Sequence, residues 1–149
     1  MTLATQQALL ALLTLPRMGP SRLRWIGADD DPVAALASLR AGRVTARSNT
    51  PRGIDDRLLA SWYADARACD EVQLWSAYQH AGLSLLFPGD PKWPFANDPE
   101  PPSVLFYRGS LSALHAPARV GIVGTRRCSA VGRQVARTMG LELAAAGLS

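Results

Sequence analysis

The stretch of sequence that decides the fold reads Val120-Gly121-Ile122-Val123-Gly124-Thr125-Arg126-Arg127-Cys128-Ser129. Its first four residues are mostly apolar and predict a short strand, which runs directly into a glycine turn. A helix is predicted to follow, with Ser129 as its N-cap and Gly147 at its C-terminal end. Its apolar residues repeat at every fourth position: Val131, Val135, Met139 and Leu143. Strand, glycine turn and amphipathic helix in this order open a βαβ unit.

Residues 1–82, far upstream of this motif, have the pattern of a helical domain. Ala8, Leu9, Leu12 and Leu13 give the first helix one apolar face, and Leu15-Pro16 ends that helix because the residue before proline is pushed out of the helical region. Later helices are predicted to start at four proline or aspartate signals: Pro20, Asp31-Pro32, Thr50-Pro51 and Asp70. Gly82 closes the domain.

Residues 83–118 form a connecting region of different character. An apolar run at 83–87 predicts a strand, and a second strand is predicted at 103–107. Six prolines between positions 88 and 102 predict an extended loop between them. Residues 119–149 then supply the first strand, phosphate turn and helix of an incomplete Rossmann-like parallel sheet. The predicted class is therefore α/β, with a small all-helical domain first.

Composition narrows the kind of protein. The 149 residues are 48% hydrophobic and 19% charged, which is typical of a globular chain. No apolar run approaches the ~20 residues that a membrane-spanning helix requires. Two isolated cysteines, Cys69 and Cys128, fit a reduced compartment, so we expect a cytoplasmic protein without membrane contact. The net charge is +4, and Lys92 is the single lysine among 16 basic residues. This arginine bias suits phosphate recognition or reflects genome base composition, and composition leaves both interpretations open.

The glycine turn and the start of the last helix form the candidate site for a phosphate group. Parallel strands place ligands at their carboxyl ends, where a glycine turn and free helical N–H groups receive an anion. The predicted binding residues are Gly124, Thr125, Arg126, Arg127, Ser129 and Arg133. Glycines at 121, 124 and 132 do not have the intervals of G-x-G-x-x-G, so a dinucleotide site is not expected.

Charge and aromatic residues near this turn each allow two interpretations. Five arginines and no acidic residue lie between positions 119 and 137. Such a patch can neutralise phosphates or can be the solvated face of a helix. Aromatic side chains that could stack on bases are Trp93, Phe95, Phe106 and Tyr107. Packing in a core is the favoured role for these four.

Catalytic and metal chemistry have little support in the sequence. Cys128 precedes a helix N-terminus, but His80 and His115, the available bases, have no placed partner. No pair of cysteines or histidines has the spacing of metal ligands. The run Asp29-Asp30-Asp31 is better explained as a loop and helix cap than as a cation site. We therefore predict no catalytic residue, no metal and no cofactor.

Three stretches together resemble the DprA/Smf family. The first, Leu15-Pro16-Arg17-Met18-Gly19-Pro20, is similar to its N-terminal SAM or helix-hairpin-like module, although Arg17 stands where such turns usually have glycine. The second is Asp98-Pro99-Glu100-Pro101-Pro102-Ser103-Val104-Leu105-Phe106-Tyr107-Arg108-Gly109, and the third is the motif from Val120 to Gly132. The resemblance covers the N-terminal part of the family's proteins.

The resemblance implies a function and partners. A DprA/Smf-type protein binds single-stranded DNA during DNA uptake and natural transformation, and it helps to load a RecA-type recombinase without being an enzyme. The family's homodimer interface and distal basic contacts would lie beyond Ser149. At the turn, Arg126 matches an arginine that binds the DNA backbone in the family. The alternative is a Rossmann-like nucleotide-binding enzyme of the nucleotide or nucleoside-monophosphate hydrolase type.

Overall fold

A computed structural model describes residues 1–45, 49–99, 101–112 and 118–148 of the chain. The chain divides into two compact units. Met1–Arg108 is called the helical unit below, and Gly109–Ser149 is called the terminal unit. Most of the regular structure is helical.

The helical unit contains five helices followed by two short strands. The helices are α1 (Leu3–Thr14), α2 (Pro20–Trp25), α3 (Pro32–Arg40), α4 (Asp56–Ala68) and α5 (Glu71–His80). The strands are β1 (Ser84–Leu86) and β2 (Leu105–Tyr107). The terminal unit contributes one long helix, α6 (Ala130–Ala145).

Side-chain caps fix where the helices begin. Asp31 accepts hydrogen bonds from the N–H groups of Val33 and Ala34, both at 3.0 Å, so the predicted start of α3 is confirmed. Asp70 caps α5 in the same way, as predicted. The predicted start at Thr50-Pro51 is wrong, because α4 begins five residues later with Asp55 as its N-cap. Gly53 has a φ of +75°, which breaks helical geometry between Pro51 and Asp55.

The turn between α1 and α2 is closed by a backbone bond and a buried side chain. The N–H of Met18 donates to the carbonyl of Leu15 at 3.1 Å, with Pro16 and Arg17 at the two central positions. Arg17 has a φ of +58°, a conformation that a residue with a Cβ adopts only at some cost. Trp62 of α4 donates its indole Nε1–H to the carbonyl of Pro16 at 2.8 Å, which ties the turn to the core.

The core of the helical unit forms where α1 packs on α3 and α5, and where α3 packs on α4. Its largest fully buried side chains are Trp62, Leu10, Leu12, Leu23 and Leu39. The predicted apolar face of α1 lies in this core, with Ala8, Leu9 and Leu12 buried and Leu13 partly buried. Burial of such side chains is the main favourable term for a domain of this size.

Arg40, the last residue of α3, connects α3 to the end of α4 and the start of α5. Its guanidinium donates to the carbonyl oxygens of Ala66 at 3.0 Å and Cys69 at 2.9 Å, and it forms a two-pronged ion pair with Glu71. These bonds satisfy carbonyls at the C-terminal end of α4 that have no partner within that helix.

The two predicted strands of the connecting region are confirmed. They pair antiparallel, with Ser84 opposite Tyr107 and Leu86 opposite Leu105. The third predicted strand, at 120–123, is not formed in the structure: residues 119–125 have no strand assignment. A strand is defined by hydrogen bonds to a neighbouring strand, and the sheet among the described residues contains only β1 and β2. The Rossmann-like parallel sheet therefore stays a prediction.

The terminal unit contains the segment from Val120 to Ser129 and the helix α6 that follows it. Ser129 caps α6 as predicted, and Gly147 has a φ of +79° past its C-terminal end. Ile122 lies against the helix, since its Cδ1 is 3.8 Å from where a Cβ on Gly140 would stand. The predicted apolar ladder is largely exposed, with Val131 72% and Val135 51% accessible.

Candidate nucleic-acid interface

The turn that precedes α6 presents two adjacent arginines. Arg126 and Arg127 occupy a turn that follows residues 119–125, which have no regular secondary structure. Thr125 Oγ1 accepts a hydrogen bond from the N–H of Arg127 at 3.3 Å, which folds the chain back locally. Gly124 has open space where a side chain would be. The backbone at this position is therefore accessible to a ligand.

Ser129 joins this turn to the helix. Its hydroxyl accepts from the N–H of Gly132 at 3.1 Å, and its carbonyl accepts from the N–H of Arg133 at 3.1 Å. A Cβ on Gly132 would stand 3.4 Å from Ser129 Oγ, so glycine keeps the cap uncrowded. The start of α6 carries the positive end of the helix dipole, which favours an anion.

The structure places all six predicted binding residues on the surface of the terminal unit, within the segment from Gly124 to Arg133. Arg126, Arg127 and Arg133 form no ion pair with any residue that the structure describes, so their guanidinium groups remain available to a ligand. Arginine presents a planar fork of N–H donors that matches a phosphate. The segment can therefore hold phosphate groups through side chains, the Gly124 backbone and the helix start.

The four candidate aromatic platforms belong to the helical unit. Trp93 and Phe95 pack edge to face with ring centroids 5.4 Å apart, and both are half-buried. Phe106 is 39% exposed and contacts Tyr78 at 5.8 Å between centroids. The prediction of core packing is wrong for Phe106, because a two-stranded sheet covers little of a side chain. Tyr107, the next residue of β2, is half-buried.

The remaining reactive groups offer little chemistry. His80 is exposed at the end of α5, and its Nδ1 lies 2.7 Å from the carbonyl oxygen of Ser76. His115 lies outside the described residues. Both cysteines are free thiols, and burial raises the pKa of Cys69. The described residues contain no group of three or more potential metal ligands. None of the described helices is long and apolar enough to cross a membrane.

Sequence reasoning missed one group of arginines, which lies in the helical unit. Arg17 and Arg22 converge on Gly53, more than 30 residues away along the chain. The local signal that could have pointed to it is Arg17 itself, an arginine at a turn position that usually holds glycine.

The comparisons with known proteins concern the second half of the chain. Residues 84–149 match the family model described as DNA recombination-mediator protein A. The resemblance to the DprA/Smf family is therefore confirmed for this segment. The segment contains β1, β2, α6 and the turn with Arg126 and Arg127, which is called the arginine turn below.

A curated relative supports the same relationship. The DNA processing protein DprA of Bacillus subtilis (strain 168) is 32% identical to this chain over 74 residues. The aligned stretch covers 48% of this chain and 25% of the relative, so the match spans about a quarter of the relative's length. No solved structure matches the chain.

Proposed function

We propose that this chain is part of a DNA-processing protein that binds single-stranded DNA through the turn and helix start at Gly124 to Arg133. The observation that carries the proposal is the similarity of residues 84–149 to a recombination-mediator family, because that segment includes the exposed arginine turn. The similarity to a DNA processing protein supports a role in DNA recombination. The proposal goes further in naming single-stranded DNA as the ligand and DNA uptake as the process.

The proposed binding mode uses the phosphate backbone and not the bases. Arg126 and Arg127 supply paired donors to one or two phosphates, and Arg133 lies one helical turn further along α6. The backbone at Gly124 and the positive end of α6 would hold a phosphate oxygen between them. Because these contacts neutralise charge and read no sequence, binding should be sequence-tolerant and strongly salt-dependent.

In the proposed process the protein acts as a mediator and catalyses no reaction. It would hold single-stranded DNA during uptake and transformation and help to load a RecA-type recombinase in the cytoplasm. We also propose that the terminal unit is the first strand, turn and helix of a Rossmann-like sheet. The apolar ladder on α6, from Val131 to Leu143, is largely exposed and has the spacing that packs on such a sheet. We also propose that the protein forms a homodimer.

The test of the binding site is Arg126→Ala. Fluorescence anisotropy with a labelled thymidine oligonucleotide should give a dissociation constant raised about tenfold, because one charge-assisted contact contributes roughly 1.5–3 kcal/mol. The slope of log affinity against log salt should fall by about 0.7, the value for one phosphate on a single strand. Arg43→Ala is the matched control, since Arg43 is also an exposed loop arginine and lies in the helical unit.

Three outcomes would contradict the proposal. Unchanged affinity of Arg126→Ala would remove that residue from the site. An equal loss with Arg43→Ala would mean that only the total charge matters. Competition by thymidine monophosphate as strong as competition by the oligonucleotide would favour a nucleotide pocket at the turn instead of a DNA-backbone site.

A further inference from the structure

Two arginines of the helical unit come together at the turn between α1 and α2. A Cβ placed on Gly53 would stand 2.9 Å from Nη2 of Arg17 and 3.6 Å from Nη2 of Arg22. Both guanidinium groups therefore lie within contact distance of one point on the surface. Arg17, Arg22 and Gly53 are called the arginine cluster below.

Arg22 is held in place by backbone carbonyls on both sides of the cluster. Its Nη1 donates to the carbonyl of Arg17, and its Nη2 donates to the carbonyl of Arg52 at 3.4 Å. A guanidinium has five N–H donors, so these two bonds leave three for a ligand. Arg22 is half-buried, which reduces the number of positions that its side chain can adopt.

Arg17 reaches the cluster from a strained backbone. Its φ of +58° lies in the left-handed region, where glycine would be the unstrained residue. Its side chain donates no hydrogen bond to a described residue, and it is exposed. Gly53 also has a positive φ, and a Cβ there would stand 2.9 Å from Nη2 of Arg17, so the Arg17 side chain would have to shift for any other residue. The local structure thus accepts strain at Arg17, and glycine at position 53 lets the Arg17 guanidinium lie beside Arg22.

The charge of the cluster is not neutralised within the described residues. Neither arginine forms an ion pair there, and the neighbouring Asp55 carboxylate accepts from the N–H of Leu58 at 2.8 Å as the cap of α4. Two like charges so close repel each other, and a shared anion would relieve the repulsion. Two planar forks that converge on one point match the oxygens of a phosphate group.

We propose that the arginine cluster is a phosphate-binding site of the helical unit, separate from the turn that precedes α6. Side-chain guanidinium groups would do here what backbone amides do in turns rich in glycine. The ligand is a phosphate group, either inorganic phosphate or the phosphodiester of a nucleic-acid backbone. The site does not depend on the function proposed for the terminal unit.

The discriminating variant is Arg17→Gly. It removes one cation and relieves the positive φ, so the thermal midpoint should stay unchanged or rise while phosphate affinity falls. The arginine Nε–Hε signals of the 149-residue chain are followed by NMR during titration with inorganic phosphate, and separately with a twelve-residue thymidine oligonucleotide. In the parent chain the Arg22 signal should shift with at least one probe, and Arg17→Gly should raise that dissociation constant about tenfold.

The two probes separate the sources of the phosphate. A response to both means that a phosphate group alone is recognised, and a response to the oligonucleotide alone means a nucleic-acid backbone. Arg43→Ala should leave the Arg22 response unchanged. Arg126→Ala should leave the Arg22 response to inorganic phosphate unchanged, which distinguishes failure of this site from failure of the one in the terminal unit. The proposal is overturned if neither probe shifts Arg22, or if Arg17→Gly binds as tightly as the parent.

Discussion

The helical unit and the terminal unit place their apolar residues in opposite environments. In the helical unit, Trp62 and four leucines are fully buried, and five helices share one core. In the terminal unit, none of the described residues is buried, although α6 is the longest helix of the described chain and has an apolar residue at every fourth position from Val131 to Leu143.

The difference shows that amphipathic sequence and burial are separate properties. The apolar repeat together with Ser129 and Gly147 is enough to predict α6 and its ends, but the repeat does not supply a surface on which these apolar side chains could pack. The stability of helices in proteins comes mainly from packing of the apolar face and less from intrinsic propensity. We therefore expect mutations in the two units to differ in size and in what they disturb.

The largest effect is expected from Trp62→Ala. The change removes the largest buried side chain and the hydrogen bond to the carbonyl of Pro16, so the helical unit should lose about 4 kcal/mol of unfolding free energy. Urea unfolding followed by far-ultraviolet circular dichroism measures this loss. Trp62→Phe separates the two causes, because it keeps most of the apolar volume and loses only the indole donor. A loss below about 1 kcal/mol for Trp62→Ala would mean that the core does not depend on α4 as described.

An intermediate effect is expected from removing one helix cap in each unit. Ser129→Ala deletes the hydroxyl that accepts from Gly132, and Asp55→Ala deletes the carboxylate that accepts from Leu58. Each cap contributes about 1 kcal/mol. Amide hydrogen exchange should show faster exchange confined to α6 for Ser129→Ala. Asp55→Ala should instead lower the stability of the whole helical unit, because α4 carries core residues. Faster exchange throughout the helical unit in Ser129→Ala would contradict the expectation that this effect is confined to α6.

The smallest effect is expected from Glu71→Gln, and it depends on pH. The hydrogen bond from Arg40 holds the pKa of Glu71 below its ordinary value. Because the folded-state pKa is depressed, the stabilisation is present above the unfolded pKa and is lost as pH falls through the folded one. Both side chains are about one-third exposed, so the pair contributes only about 0.5 kcal/mol at neutral pH.

Urea unfolding at neutral and acidic pH tests this expectation. The difference between the parent and Glu71→Gln should be present at pH 7 and should shrink as the pH falls through the depressed folded-state pKa of Glu71 and the parent carboxyl becomes protonated. Glu142→Gln removes the same charge from an exposed position on α6 and should leave the unfolding of the helical unit unchanged. A gap between parent and Glu71→Gln that widens in acid would contradict the assigned direction.

Much of the local structure could be predicted from sequence, because its signals act over a few residues. Asp31 and Asp70 were identified as helix starts, and Pro16 as the point where α1 ends. The predicted start of α4 at Thr50-Pro51 is wrong. Proline is common both at the first position of a helix and in turns, and the local sequence does not distinguish the two roles. The segment at 120–123 was predicted as a strand from composition, but a strand also needs a hydrogen-bonded neighbour.

The two candidate sites also differ in whether their residues are neighbours along the chain. The turn at Gly124 to Ser129 is continuous in sequence, so its residues could be named without a structure. The arginine cluster could not, since Arg17 and Gly53 approach each other only in the folded helical unit, where Trp62 of α4 bonds to the neighbouring Pro16. Arg17 at a turn position gave a local hint of strain, but nothing in the sequence identified its neighbour.

By itself, the sequence determined most of the helices, the caps Asp31, Asp70 and Ser129, the two short strands and the arginine turn, together with the family that residues 84–149 resemble. Caps, prolines and apolar periodicity act between residues at most about four positions apart, so they can be read along the chain. Only the tertiary structure decided that Trp62 bonds to Pro16, 46 residues away, and that Arg40 pairs with Glu71, 31 residues away. It also decided that the apolar ladder of α6 is exposed. Such contacts depend on how helices pack, and packing is a property of the whole fold.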